Sequence, residues 1–352
     1  MLGPKVNSES WPVPLSVLDL APVSAGATAG QALRATLDLA RRADRLGFHR
    51  YWLAEHHNMP GIASSAPAVL IGQVAAATSR MRVGSGGVML PNHPPLVVAE
   101  QFGMLEALHP GRIDLGLGRA PGTDQQTAAA LRRSAAPLSA DDFPRQLAEL
   151  IGYFRSDPVG DGRGGRAAVP AAGNEPATWL LGSSLYSARL AGVLGLPFAF
   201  AHHFSSENTL PALHTYRSSF EPSGVLDEPY AMIAASVLCA EDDERARWLA
   251  GSSGLSFLKL RQRQPVPLPS PEEAAEYPYS ELERLIVDER MAGQVIGGPK
   301  TVRRGIEDLL AATTVDELMI TAMTYDPADR VRSYELIAHL WATDEPVTPE
   351  GS

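Results

Sequence analysis

Arg50-Tyr-Trp-Leu-Ala-Glu-His-His57 begins as a short aromatic and apolar run and turns abruptly polar at its last three residues. The pair Gly47-Phe48 stands just before it, where a glycine ends a helix and a new strand starts. An apolar strand that finishes on a carboxylate and two imidazoles is how a parallel barrel presents chemistry at its C-terminal rim. Taken alone, the same string also fits a surface turn with incidental histidines. Recurrence along the chain separates the two readings.

Strand-like and helix-like runs alternate from Val13 onward. Predicted strands cover residues 13–18, 50–54, 81–90, 112–118, 178–181, 197–201, 231–240 and 315–321. Predicted helices follow them at 28–46, 64–78 (opened by Ser64 or Ser65, with Pro67 in the first turn), 96–108, 124–133, 183–194, 207–220, 241–259, 299–312 and 327–341. The eight repeats predict a (β/α)8 TIM barrel over residues 13–342, between flexible termini 1–12 and 343–352. Two stretches break the rhythm. Residues 134–176 hold one amphipathic segment (141–154) and a Gly-rich loop (159–173) expected to be mobile. Residues 264–298 form a second, Pro-rich insertion.

Composition narrows the function. With 352 residues, 45% apolar and 20% charged, the chain has material for a large soluble core. A net charge of −10 argues against nucleic acid, whose binding rests on Lys and Arg neutralising phosphates. No apolar run approaches the roughly 20 residues of a membrane span, and the first dozen residues lack the apolar core of a signal peptide, so a cytoplasmic location is expected. The lone cysteine, Cys239, lies in an apolar run and reads as a buried, inert thiol.

Barrel chemistry gathers just after the strands. That rule collects Asp19, Glu55-His56-His57, residues 89–93, Arg119, Ser183-Ser184, His202-His203 and residues 321–324. A metal hydrolase is disfavoured, because consecutive side chains on extended backbone face opposite ways and Glu55, His56 and His57 cannot all reach one ion. An anion site fits better. Gly182-Ser-Ser-Leu-Tyr-Ser187 leaves a strand and opens a helix, whose N–H groups and dipole favour a phosphate, with Arg119 one strand away as a guanidinium partner. Simple N-capping by the serines and a surface ion pair for Arg119 remain alternatives. Gly84-Ser-Gly-Gly87 inside a strand suggests a bulge or a flat ligand against the backbone. Gly116-Leu-Gly118 with Gly122 has the wrong spacing for a dinucleotide fingerprint.

Together the strings Leu53-Ala-Glu-His-His57, Val83-Gly-Ser-Gly-Gly-Val-Met-Leu-Pro91, Val98-Ala-Glu100, Gly111-Arg-Ile-Asp-Leu-Gly-Leu-Gly-Arg119, Gly182-Ser-Ser184 and Ile296-Gly-Gly-Pro-Lys-Thr-Val302 resemble the bacterial luciferase-like flavin monooxygenases. Within that family the chain looks most like the subgroup of the mensacarcin-pathway oxygenase. The resemblance implies a monooxygenase using O2 and reduced FMN (FMNH2) supplied by a separate flavin reductase. Its substrate would be an organic molecule of the secondary-metabolite kind, such as an aromatic polyketide. It places His56 in proton handling with Glu55 beside it, and a non-prolyl cis peptide at Gly86-Gly87 beneath the flavin ring. Arg119, Ser183, Ser184 and Ser187 would surround the flavin phosphate. It also implies a homodimer through the helices at 64–78 and 96–108. Asn92-His-Pro-Pro95 and the Gly-rich insertion depart from the luciferase pattern, so substrate identity and light emission do not follow. Two other readings stay open: hydride transfer with a deazaflavin, and a flavin-binding protein without turnover.

Overall fold

The computed structural model describes residues 13–120, 124–132, 142–155 and 168–342. Ten strands run in chain order: β1 (Leu15–Asp19), β2 (Arg50–Leu53), β3 (Arg82–Ser85), β4 (Val88–Met89), β5 (Ile113–Gly118), β6 (Ala177–Gly182), β7 (Phe198–Phe200), β8 (Ala231–Cys239), β9 (Val295–Gly297) and β10 (Glu317–Thr321). Every ladder between them is parallel, and eight strands close a ring in the order β10-β1-β2-β3-β5-β6-β7-β8, with β8 returning to β10. The expected barrel is present. β4 pairs with β5, and β9 pairs alongside the last residues of β8.

The helices are α1 (Ala29–Leu46), α2 (Pro67–Ala77), α3 (Pro95–Leu108), α4 (Gln125–Arg132), α5 (Phe143–Arg155), α6 (Leu185–Val193), α7 (Thr209–Ser218), α8 (Asp243–Arg261), α9 (Pro271–Glu276), α10 (Glu281–Ala292), α11 (Pro299–Thr313) and α12 (Pro327–Ala342). Local chemistry sets their ends. Thr28 accepts the Gln31 N–H while the Gln31 side chain accepts the Thr28 N–H, a capping box that starts α1. Gly47, at φ 87°, ends it in the left-handed region.

Alternation along β2 sorts its side chains between two cores. Tyr51 and Leu53 join the layer between strands and helices, whereas Trp52 and Ala54 join Leu18, Trp179, Met232 and Met319 inside the barrel. At the N-terminal end of the ring, the first residues of the strands carry a buried ion network. Arg50 Nε lies 2.9 Å from both oxygens of Glu317, and Arg50 Nη1 lies 2.8 Å from Asp114 Oδ2. Arg82 and the Trp52 indole also donate to Asp114, at 2.8 and 2.9 Å. Burial alone would raise the Asp114 pKa, but Arg50 and Arg82 hold it below the usual carboxylate range.

Four details differ from the expectation. The third strand is not continuous over residues 81–90; it breaks at Gly86-Gly87 into β3 and β4. Neither Ser64 nor Ser65 caps α2: the helix starts at Pro67 behind Ala66, and the Ser64 hydroxyl donates to the Ala54 carbonyl instead. The Pro-rich insertion folds into α9, α10 and β9, because Ser270 and Ser280 each complete a capping box with the glutamate three residues on. Of the Gly-rich stretch, residues 159–167 lie outside the described residues, but Ala168 and Ala171 are fully buried in the core. A Cβ on Gly103 of α3 would sit 2.3 Å from the Ala171 Cα, so the chain is seated tightly there. Cys239 is buried, and desolvation pushes its thiol up to about 12. Among the described residues no helix is long and apolar enough to cross a membrane. The expected termini 1–12 and 343–352 lie outside the described residues.

Candidate active site

The alternation of β2 continues past its end and splits Glu55, His56 and His57. Glu55 faces outward toward α2 and α3, where it shares a small hollow with His93 and Gln101. Its Oε1 accepts from His57 Nε2 at 2.8 Å and from His93 Nε2 at 2.7 Å, and its Oε2 accepts the Met89 N–H at 3.0 Å. Burial would raise the Glu55 pKa, yet the bonds from His93, His57 and Met89 hold it below normal, so the carboxylate is ionised. Glu55 therefore does not stand beside His56 as a second group facing the cavity. It clamps two rim loops together. Its donor atom and those of His57 and His93 lie within 4.8 Å of one another, a metal-ligand arrangement that sequence order did not disclose because His93 comes from another strand end. With both nitrogens on one oxygen at hydrogen-bond distance, the three groups satisfy each other without an ion.

His56 turns the other way, into the mouth of the barrel. Its backbone N–H is held by the Ser64 carbonyl at 2.9 Å, while its buried Nδ1 has no hydrogen-bond partner. Burial lowers its pKa more than Glu55 raises it, leaving a neutral imidazole at neutral pH. The space it enters is an open cleft roofed by α8 and the chain after it. Most of the wall is apolar, with Met59, Ile62, Phe204, Leu238 and Phe257 among the lining. The remaining polar groups are few. His203 donates from Nδ1 to the Ala234 carbonyl at 2.8 Å, which leaves Nε2 as an acceptor. Burial brings its pKa to about 4. Thr321 contributes a buried hydroxyl without a partner.

Arg119, Ser183, Ser184 and Ser187 also follow strands at this rim, but they stand at the ends of β5 and β6, outside the lining of the His56 cleft. The three expected sites thus share one face of the barrel, not one cavity. The Arg119 guanidinium lies over the Tyr186 ring at 4.2 Å, which brings it to the first turn of α6. Among the described residues it makes no ion pair. Ser184 occupies the N-cap position of α6, yet its side chain makes no capping bond. The two structural alternatives for this cluster are therefore not what the geometry shows. Ser183 is exposed, whereas Ser187 is buried with its Cβ against the position a Cβ of Gly182 would take.

Gly86-Gly87 is a non-prolyl cis peptide, as the resemblance implied. A Cβ on Gly86 would meet Leu18 Cδ1 at 2.6 Å, and one on Gly87 would meet the Gly116 carbonyl at 2.8 Å, so neither position accepts a side chain without displacement. By contrast Asp19, collected by the rim rule, is structural: it pairs with Arg330 at 2.8 Å and accepts from Thr36, Tyr51 and the Ala21 N–H.

A model of the luciferase-like monooxygenases matches residues 13–317. The chain belongs to that family. This luciferase-like monooxygenase is 53% identical over 335 residues to YvbT of Bacillus subtilis (strain 168), covering 95% of this chain and 98% of that protein. A luciferase-like monooxygenase of Escherichia coli (strain K12) is 48% identical over 325 residues, 92% and 96% of the two chains. The N-acetyl-S-alkylcysteine monooxygenase of B. subtilis is 34% identical over 329 residues, 92% and 97% of the two chains. Among solved structures, apo-MsnO8, the mensacarcin oxygenase, superposes with a TM-score of 0.86 at 39% identity over 94% of this chain and 99% of its own. The FMN complex of the oxygenating constituent of 3,6-diketocamphane monooxygenase shares the fold at TM-score 0.70 and 22% identity, covering 94% and 98%.

Sequence reading reached His56, His203 and Thr321 through the strand-end rule. It missed what α8 and α10 bring to the cleft, Ser253, Ser256, Phe257 and Arg290 among them. No local signal marks these residues, since they sit on helices whose placement over the barrel is a tertiary matter.

Proposed function

We propose that this luciferase-like monooxygenase uses O2 and FMNH2, delivered by a separate flavin reductase, to oxidise a small organic substrate in the His56 cleft. The observation that carries the reading is the His56 Nδ1: a neutral, buried ring nitrogen, unpartnered, in the wall of a mostly apolar cavity. A buried polar atom without a partner is costly unless a ligand meets it. Reduced FMN, when bound, supplies the electrons that activate O2.

The residues fit that group. Gly86 and Gly87 carry the cis peptide between β3 and β4, the place beneath the flavin ring that the family resemblance implies, and Leu18 and the Gly116 carbonyl leave no room there for a side chain. Arg119, Ser183, Ser184 and the open first turn of α6 offer a cation, hydroxyls and N–H groups for its phosphate, with the buried Ser187 behind them. The apolar wall excludes water from the reacting atoms. His56 holds or moves a proton at Nδ1 with a neutral imidazole, a role suited to near-neutral pH. Glu55 acts through position, fixing His57 and His93 and hence the rim around the cleft.

A homodimer through α2 and α3 belongs to the same proposal. Val69 of α2 and Leu108 of α3 are 71% and 67% exposed, with Val97 and Met104 beside them, an apolar face that a second copy would cover. The substrate is a secondary metabolite or another small organic molecule. The tests are direct: FMN, reduced FMN and a deazaflavin are titrated against the protein, and oxygen uptake is followed with reduced FMN. Reduced-FMN binding with substrate-dependent oxygen uptake is the expected result. Preferential deazaflavin binding would replace it with hydride transfer, and flavin binding without any turnover would reduce it to a carrier.

A further inference from the structure

Arg290 enters the His56 cleft from α10, within the segment the sequence marks only as an insertion. Its Nη1 donates to the His203 carbonyl, and its guanidinium lies over the Phe257 ring at 5.0 Å from the centroid. Those contacts fix the group in the wall and use one of its five N–H donors. What it lacks is a counter-charge. The buried guanidinia of Arg50, Arg82 and Arg330 each meet a carboxylate at 2.7–2.9 Å. Among the described residues Arg290 meets none. Burial lowers its pKa with no acidic neighbour opposing. Its neighbours one turn away on the helix are Ile286, Val287, Gly293 and Gln294, all uncharged.

A half-buried cation in an apolar cavity is unfavourable unless an anion arrives with the ligand. Arg290 has polar company on its own side, with Gln294 just past α10 and Ser253 and Ser256 on α8. The barrel side offers the His56 imidazole and the Thr321 hydroxyl, and apolar groups fill the space between. We infer that Arg290 anchors a carboxylate on the substrate, so that this enzyme takes small carboxylic acids with an apolar body whose oxidised atom lies near His56. This deepens the monooxygenase reading and rests on it. An anion in the cleft could also be the flavin phosphate, which the Arg119 cluster at the other side of the rim is better placed to hold.

The test uses the full-length protein and matched pairs of acid and primary amide: octanoate, 3-phenylpropanoate and N-acetyl-S-benzylcysteine. Each is titrated calorimetrically against the wild type, Arg290→Lys and Arg290→Gln, with FMN and riboflavin titrated in parallel and melting curves confirming folding. A bond to a charged group predicts that the wild type prefers at least one acid over its amide by about 10- to 100-fold. Arg290→Gln should erase that preference while leaving amide, FMN and riboflavin binding unchanged, and Arg290→Lys should restore part of it. No acid preference in the wild type, or a preference that survives Arg290→Gln, overturns the inference. Loss of FMN but not riboflavin affinity in Arg290→Gln also overturns it, by assigning the anion to the cofactor. An acid preference without reduced-FMN-dependent oxygen uptake would instead fault the monooxygenase reading and leave the carboxylate site standing.

Discussion

The two ends of the barrel treat their buried cations in opposite ways. At the N-terminal end, Arg50, Arg82, Asp114 and Glu317 are all sequestered from water, and each charge is met by an opposite charge, with Trp52, Tyr230 and Ser16 taking remaining acceptor sites. At the C-terminal end, His56 Nδ1 and the Thr321 hydroxyl have no partner, and Arg290 has no counter-ion among the described residues. Desolvation acts on both sets. In the first it is offset inside the protein, which makes a rigid floor that does no chemistry. In the second it is left open, and the missing partners outline the ligand. Asp19 shows that the difference is not simply one of height: it ends β1 near the rim, yet Arg330, Thr36 and Tyr51 close it off.

That contrast breaks if rim and floor substitutions have the same consequences. His56→Ala should lower turnover by about 10²–10⁴ while reduced-FMN binding and the unfolding midpoint stay close to wild type, as stopped-flow and denaturation curves would show. Unchanged turnover removes His56 from the chemistry. Asp114→Ala, at the floor, should cost about 3–5 kcal/mol of stability, because Arg82 is left buried without a counter-charge and Arg50 keeps only Glu317. Urea unfolding measures it, and folded mutant should retain its flavin affinity. Arg119→Ala is expected to weaken FMN by about 10- to 100-fold and riboflavin not at all. Equal losses for both ligands would make Arg119 part of the scaffold.

Acid sharpens the comparison further. The pKa of His203 is about 4 in the folded chain against an ordinary 6.5, so between those values the unfolded chain binds a proton that the folded one does not. Its contribution to stability is complete above pH 6.5 and declines as the pH falls toward 4, by about 1.4 kcal/mol per unit. His56 and His202 are shifted in the same direction by burial. Urea midpoints between pH 7 and 5 should fall, and His203→Gln should flatten that slope; a slope unaffected by the substitution would show that His203 is not the group involved. The smallest effect expected is on assembly. Val69→Lys with Leu108→Lys should yield a monomer by light scattering with little loss of fold, and a wild type already monomeric would dispose of the dimer.

Much of this was legible in the chain. The alternation of strand-like and helix-like runs, Gly47 after a helix and strand ends turning polar located all eight barrel strands, and they placed His56, Arg119 and Ser184 at one rim. Two failures have a common origin. Ser64 reads as a helix cap until Ala54, ten residues earlier, takes its hydroxyl. The family resemblance sets Glu55 beside His56 in proton handling, yet extended backbone sends the two side chains to opposite faces.

The sequence by itself determined the barrel, the identity of the rim residues and the family, since each depends on patterns of a few residues repeated along the chain. Only the tertiary structure decided that His93 joins Glu55 and His57, that Arg119 rests on Tyr186, and that α10 carries Arg290 into the cleft. These are encounters between segments up to hundreds of residues apart. They are fixed by how closed strands and overlying helices fill space, and no local periodicity encodes which side chains then meet.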